Sequence, residues 1–379
     1  MRVALVYDRV NKFGGAERVL NVLHEIWPEA PLFTSVYDQQ RADWANGWDI
    51  RTSWLQNIPG AKINHEFFGW LMPLVFESFD FSEFDVIISV TSEAAKGIIA
   101  NSKQLHICYL LTPTRYLWSH TNDYMSEVPK LLRSLALIAQ AKLRIWDYIA
   151  AQRPDIIFSI SKLVQKRSLK YYRRESEVVY PMLGLKEERR PARQSLALQA
   201  PAGGRKKEEG DYFLVVSRLV PYKRIDLVIE ACNQLKLPLI VIGIGSEEKR
   251  LKKISGQTIK FTGYLTDQKL TEYYRGAKAV IMPQEEDFGL TAVEALSLGV
   301  PVISYKYSGA AEIVRDGETG ILFEEQSAGS LVNALKKFDK LRFRENSANR
   351  EFFNNEFKKT FKGKINKLWI KHQANIYSR

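Results

Sequence analysis

The densest chemistry lies in Glu286-Asp287-Phe288-Gly289-Leu290-Thr291-Ala292-Val293-Glu294, where a glycine separates two carboxylates. With Pro283 before it and Gly299-Val300-Pro301 after it, the stretch reads as strand, loop, helix, stop and strand. Gly289 permits a close backbone approach at the helix start, and Gly299 suits a left-handed C-terminal cap. A helix starting at a sheet's carboxyl edge directs its N–H groups and positive dipole end at a phosphate or sugar hydroxyl. Glu286 falls on the loop and Glu294 about one turn inside the helix, its side chain leaning back toward the start. Each ionised carboxylate can accept from two sugar hydroxyls, which amides do less well. The plainer alternative is a dipole-favouring Glu286 and a surface Glu294.

A second segment, Ser217-Arg218-Leu219-Val220-Pro221-Tyr222-Lys223-Arg224, follows the strand pattern 212–216. Arg and Lys leaving a strand's carboxyl end can stabilise the charge that grows on a departing diphosphate. A solvated basic loop would look the same. The third segment, Phe13-Gly14-Gly15-Ala16-Glu17-Arg18, is a glycine turn that opens a helix. It lacks the G-x-G-x-x-G spacing, so a dinucleotide site is disfavoured.

These residues need scaffolds at sheet edges, and the rest of the chain supplies them. Short β-branched runs alternate with helical patterns, as expected of parallel α/β sheets. In the first half the strand candidates are Val3–Tyr7, Leu32–Val36, Val86–Val90, His106–Leu111, Ile156–Ile160 and Val178–Tyr180. Helices are expected at Ala16–Ile26 and Lys130–Ala151. In the second half, strands are expected at Tyr212–Val216, Leu239–Ile242, Ile259–Thr262, Ala279–Met282 and Val302–Tyr305. Helices are expected at Ile225–Leu235, Lys269–Arg275 and Leu290–Leu298. The charged, Pro- and Gly-rich run between the halves reads as a linker. The expected organisation is residues 1–185 as an N-terminal acceptor-side Rossmann-like domain, 186–210 as linker and 211–353 as a nucleotide-sugar domain. Residues 354–379 would form a helical segment that packs back on the N-terminal domain and reaches across both. Two such domains leave a cleft beside the carboxyl ends of their strands.

Charge and cysteine content narrow the partners. The net +12 is uneven: residues 130–175 hold 11 Lys and Arg against 3 Asp and Glu. Such patches suit an anionic membrane face, a phosphorylated substrate or nucleic acid, or are ordinary solvated helix faces. No RRM, KH or zinc-finger pattern supports nucleic acid. Cys108 and Cys232 are too isolated for a disulfide framework or zinc site, which suits a reducing cytosol. The apolar start meets Asp8 and Arg9 too soon for a secretory signal, and no run reaches the about 20 residues of a spanning helix. The Phe67–Phe76 run, with Phe68, Trp70, Leu71, Met72, Leu74 and Val75, is expected in the core, or else to cradle a lipid-linked acceptor.

Together the segments resemble the retaining family 4 glycosyltransferases of GT-B fold. The carriers are Glu286 with Glu294, Ser217-Arg218-Leu219 with Lys223, Gly14-Gly15, Gly263-Tyr264-Leu265, and the run Ser308-Gly309 to Gly320. The resemblance implies α/β architecture, two doubly wound Rossmann-like domains facing across a cleft. It also implies transfer from a nucleoside diphosphate sugar with no required cofactor or metal. Glu286, Arg218 and Lys223 would be catalytic. The donor would meet Gly15, Ser217, Arg218, Lys223, Tyr264, Glu286, Phe288, Gly289, Leu290 and Glu294, the last holding the ribose. Gly14, Thr112, Arg115, Tyr116 and Trp118 would serve the acceptor side. Many relatives carry His where Leu111 stands, so this chain must use something else there. The Pro113-x-Arg115-Tyr116-x-Trp118 pattern looks like a subgroup that often uses GDP-mannose. A mannosyltransferase acting on a glycan or polyprenyl-linked acceptor follows, cytoplasmic and peripheral at the inner membrane face. The rivals are a sugar-nucleotide 2-epimerase or phosphorylase of the same fold, and a basic polyanion-binding protein.

Overall fold

The computed structural model describes residues 1–63, 65–181, 212–341 and 354–377. The chain divides into two compact units, Met1–Pro181 with Asn354–Arg379, and Met182–Phe353. The expected linker, 186–210, lies outside the described residues.

The first unit contains β1 (Val3–Tyr7), α1 (Gly15–Ile26), β2 (Leu32–Thr34), β3 (Ile50–Thr52), α2 (Met72–Glu77), β4 (Val86–Thr91) and β5 (Leu105–Leu110). It continues through α3 (Arg115–Trp118), α4 (Thr121–Glu127), α5 (Arg133–Ala150), β6 (Ile156–Ser159), α6 (Lys162–Tyr172) and β7 (Glu177–Val178). The second unit holds β8 (Tyr212–Val216), α7 (Ile225–Leu235), β9 (Leu239–Ile242), α8 (Glu248–Ile254), β10 (Ile259–Gly263) and α9 (Asp267–Gly276). Next come β11 (Ala277–Met282), α10 (Leu290–Ser297), β12 (Val302–Tyr305), β13 (Gly320–Phe323) and α11 (Ala328–Phe338). The last helix, α12 (Asn354–Tyr377), belongs to the first unit.

Both sheets are parallel and doubly wound. The seven-stranded sheet runs β3-β2-β1-β4-β5-β6-β7, and the six-stranded sheet runs β10-β9-β8-β11-β12-β13. The central strands β1, β4 and β5 are buried along their whole length, as strands covered by helices on both faces must be. In the second unit Val228, Ile229 and Cys232 of α7 pack with Leu331 and Leu335 of α11 over Phe213 and Ile281. Helix α12 is anchored by Phe361, which packs against Trp27, Tyr109 and Phe158 of the first unit. Lys358 pairs with Glu25 and Lys364 with Glu177.

Two expectations are corrected. The Phe67–Phe76 run is not simply core: Met72, Val75 and Phe76 are buried, whereas Phe67, Trp70 and Leu74 are exposed. Helical periodicity turns residues 67, 70 and 74 to one side, away from the side that closes the core. The Lys130–Ala151 segment is a short 3-10 turn (Lys130–Leu132) followed by α5. Its inward face is polar, and most of its Leu and Ile side chains point outward.

Candidate active site

In a doubly wound sheet, ligands bind beyond the carboxyl ends of the strands where the order reverses, because the flanking loops diverge to opposite faces there. In the second unit that place lies between β8 and β11. The loop leaving β8 carries Ser217, Arg218 and Lys223, and the loop leaving β11 carries Gln284 to Gly289.

The two loops meet through charge. Lys223 lies in a 3-10 turn (Pro221–Lys223), is buried, and donates from Nζ to Glu286 Oε2. Gln284 Nε2 donates to the same oxygen at 3.2 Å. The Glu286 backbone is fixed as well: its N–H donates to Ser308 Oγ at 3.1 Å, and its carbonyl accepts from Gly309 N–H at 2.6 Å. Arg218 is exposed and donates from Nη2 to the Tyr222 hydroxyl. The Tyr222 ring lies under both cations, 5.9 Å from the Arg218 guanidinium carbon and 5.5 Å from Lys223 Nζ. Arg218, Tyr222, Lys223 and Glu286 therefore form one continuous chain of contacts.

Gly289 starts α10 in the left-handed region, at φ 90°, where a side chain would be strained. A Cβ there would also come within 2.7 Å of Ala310 Cβ. Gly309 approaches the loop from the other side, where a Cβ would stand 2.1 Å from the Asp287 carbonyl oxygen. Phe288 is buried behind this joint, and Leu290 begins the helix. Glu294 is 5% exposed, so the surface alternative is wrong. Its Oε2 accepts from the Tyr274 hydroxyl of α9 at 2.7 Å, a bond that places a buried acid. Tyr264 stands apart: it follows β10, the sheet's edge strand, and its exposed side chain joins none of these contacts.

Reading the sequence did not assign roles to Gln284, Ser308, Tyr222 or Tyr274. Ser308 and Tyr274 reach the carboxylates from segments about 20 residues away, whereas Gln284 sits two residues before Glu286 and Tyr222 next to Lys223. Only Ser308-Gly309, within the motif run, left a signal that could have been followed.

In the first unit the reversal lies between β1 and β4. Gly14 and Gly15 open α1 after β1. Arg9 pairs with Glu93, Nη2 to Oε1 at 2.7 Å, a pair that reading the sequence missed although each residue stands two positions beyond a strand, β1 and β4. Thr112, Arg115, Tyr116 and Trp118 follow β5. Burial, with Glu93 and Asp147 adding to it, pushes the Tyr116 phenol well above its ordinary value, so it stays protonated near neutrality. Asp147 of α5 gathers this segment. It accepts from Lys96 at 2.6 Å, Thr114 at 2.8 Å, Trp118 Nε1 at 2.7 Å and the Tyr172 hydroxyl at 2.8 Å. Leu111 is buried and offers no proton.

Residues 199–355 match the family model described as glycosyl transferases group 1. The match lies over the second unit and spans less than half of the chain, whose two doubly wound Rossmann-like domains give the GT-B type of fold. Among curated proteins, an uncharacterized glycosyltransferase of Methanocaldococcus jannaschii is 31% identical over 134 residues, 34% of this chain and 38% of that one. The chain spans less than half the length of the curated relatives it matches. Among solved structures, HepE of Anabaena in complex with UDP superposes with a TM-score of 0.67 at 16% identity, covering 97% of this chain and 100% of that one. Sucrose-phosphate synthase of Thermosynechococcus elongatus gives 0.70 at 17%, covering 98% and 100%.

Proposed function

We propose that this chain transfers a hexose from a nucleoside diphosphate sugar to a glycan or lipid-linked acceptor, with retention at the anomeric carbon and without a required divalent ion. The observation that carries the reading is the Lys223–Glu286 pair at the order reversal of the second sheet, with Arg218 reaching it through Tyr222. The group 1 domain match over the same residues supports it.

In this reading Lys223 and Arg218 face the diphosphate, whose bridging oxygen gains charge as its bond to the anomeric carbon breaks. Glu286 accepts from hydroxyls of the donor sugar, and Glu294, held by Tyr274, accepts from the ribose. Donor entry exchanges the internal ion pair for a diphosphate against Lys223 and hydroxyl hydrogen bonds to Glu286, so both groups keep polar partners. The acceptor oxygen forms the new bond on the face the diphosphate leaves, and the acceptor proton departs with the diphosphate. Two cations and a helix start take the place of a metal's charge. Mannose carried on GDP is the first donor proposed, from the Pro113-x-Arg115-Tyr116-x-Trp118 resemblance. UDP-glucose is the second, because HepE has been solved with it. The setting proposed is synthesis of a cell-surface polysaccharide or glycolipid, with the protein held at an anionic membrane face.

A thermal-shift screen of UDP, GDP and ADP sugars tests the donor site. A true donor at about 100 times its Kd stabilises the native state by about 2.7 kcal/mol. Product analysis then tests the reaction: free nucleoside diphosphate and a lengthened acceptor are expected in the presence of a chelator. Recovery of an isomerised nucleotide sugar, or full loss of activity on chelation, would contradict the proposal.

A further inference from the structure

Helix α5 is fastened to the first unit by polar bonds, and its apolar residues are left outside. Its inward side holds Asp147 with its four donors, Trp146 Nε1 donating to Glu77 of α2, and Arg144 donating to the Leu117 carbonyl. Its outward side carries a stripe, Leu135, Ile138, Lys142, Ile145 and Ile149, with steps of three and four residues that keep it on one face, and exposed Leu131 precedes it in the 3-10 turn. Leu131, Leu135 and Ile145 are 92%, 66% and 65% exposed. A contiguous exposed apolar stripe of this length marks a surface that meets something.

A second copy of the chain and a lipid surface are the candidates, and charge separates them. The one charged residue on the stripe, Lys142, sits near its middle. Pairing two copies of α5, parallel or antiparallel, brings the two Lys142 side chains close together on faces that carry no acid. Among the described acids near α5, Asp147 is buried in its network, Asp155 accepts from the His106 backbone N–H, and Glu77 accepts from Trp146 and Arg153. An anionic bilayer instead accepts Lys142, whose stem lies along apolar surface while the ammonium reaches the phosphates.

The flank of α5 fits the same partner. The Arg144 guanidinium lies 5.9 Å from the Trp118 ring, Trp118 stacks on Tyr171 at 5.4 Å, and Lys170 lies 5.3 Å from the Tyr171 ring. The half-buried Tyr171 ring beside exposed Lys170 suits the headgroup layer of a membrane, while Arg144 and Trp118 anchor that flank inward through Leu117 and Asp147. Helix α6 adds exposed Lys166 and Lys170, and exposed Arg173 caps its end. We propose that α5 lies flat in the surface of an anionic phospholipid bilayer, its Leu and Ile stripe among the acyl chains and the Lys and Arg residues beside it at the phosphates. This deepens the membrane part of the preceding reading and stands independently of the sugar chemistry.

Co-sedimentation of the full chain with phosphatidylcholine vesicles, with and without about one-third phosphatidylglycerol, tests the proposal. Binding is expected only to the anionic vesicles, weakening as NaCl rises from about 0.1 to about 0.5 M. Ile138→Glu and Ile145→Glu should each lower the bound fraction at least about tenfold, because a carboxylate must then enter the apolar layer. Their melting temperatures should stay at the wild-type value, since both positions are exposed. Unchanged vesicle binding in both variants, or no wild-type binding to anionic vesicles, would overturn the proposal. A lipid-free dimer in sedimentation velocity that Ile138→Glu dissolves would assign the stripe to self-association and overturn it too. Thermal shifts with nucleotide sugars on the same preparations keep the two readings apart: vesicle binding without any nucleotide-sugar binding removes the transferase and leaves the docking surface.

Discussion

Lys223 donates its ammonium hydrogen bond to Glu286 although 63 residues separate them, and Gln284 donates to the same carboxylate oxygen. The acid and the base are thus assembled before any ligand arrives. Glu286→Gln keeps the shape and removes the charge, and Lys223→Met removes the cation. Each should lower kcat/KM by about 100- to 1,000-fold, the usual effect of deleting a preorganised charged group. Arg218→Ala should do the same with little change in melting temperature, because that side chain is exposed. Steady-state kinetics beside thermal melts will check all three, and wild-type turnover in any one removes that residue from the mechanism.

The joint between Gly309 and the Asp287 carbonyl leaves no room for a methyl group. Gly309→Ala must push the 286–288 backbone away and take the Glu286 carboxylate with it. The expected result is a stability loss of about 1–3 kcal/mol and a larger loss of donor affinity than of fold. Urea melts compared with donor titrations will decide, and an unchanged donor Kd would show that the joint does not set the position of Glu286.

Tyr274→Phe removes the hydroxyl that satisfies Glu294 and leaves a buried carboxylate short of a donor. A loss of about 1–3 kcal/mol is expected. The paired change with Glu294→Gln should cost less than the sum of the single changes, because the two side chains share one bond. A double-mutant cycle measures the coupling directly, and strict additivity would mean that the bond contributes nothing.

His106 is fully buried in β5, its Nε2 2.9 Å from Ser89 Oγ. Burial, with Arg153 and Arg174 nearby, lowers its pKa from 6.5 to about 3. The folded chain therefore binds the proton less readily than the unfolded chain does. Its stabilising contribution is complete above pH 6.5 and is lost as the pH falls toward 3, reaching a loss of about 2 kcal/mol by pH 5. Denaturant melts at pH 7 and pH 5 should show this loss in the wild type and less of it in His106→Asn. Identical pH dependence in the two proteins would contradict the assignment.

The strands were legible in the sequence because β1, β4 and β5 lie inside the sheet and therefore read as unbroken apolar runs. The three-residue β3 and the four-residue β13 are too short to stand out from loops, and β7 begins one residue before its expected start. Helix α5 misleads for a physical reason. Its Leu and Ile spacing promises a buried apolar face, yet Asp147 and its four donors turn the other face inward. The site was legible as separate loops. What joins them, Lys223 to Glu286 and Ser308 to Glu286, depends on which strands are neighbours, and local patterns do not carry that order.

Because β8 and β11 are hydrogen-bonded neighbours, the segment between them builds β9 and β10 on the far side of β8 before it reaches β11. Helices α7 to α9 with β9 and β10 form a closed excursion on one side of that pair. An insertion between α7 and α9 lengthens the chain without altering the pairing of β8 with β11, whereas the loop before α7 carries Lys223 and α9 carries Tyr274. Chains of this architecture can therefore vary in length between α7 and α9 while Lys223, before α7, and Tyr274, in α9, keep their places against Glu286 and Glu294.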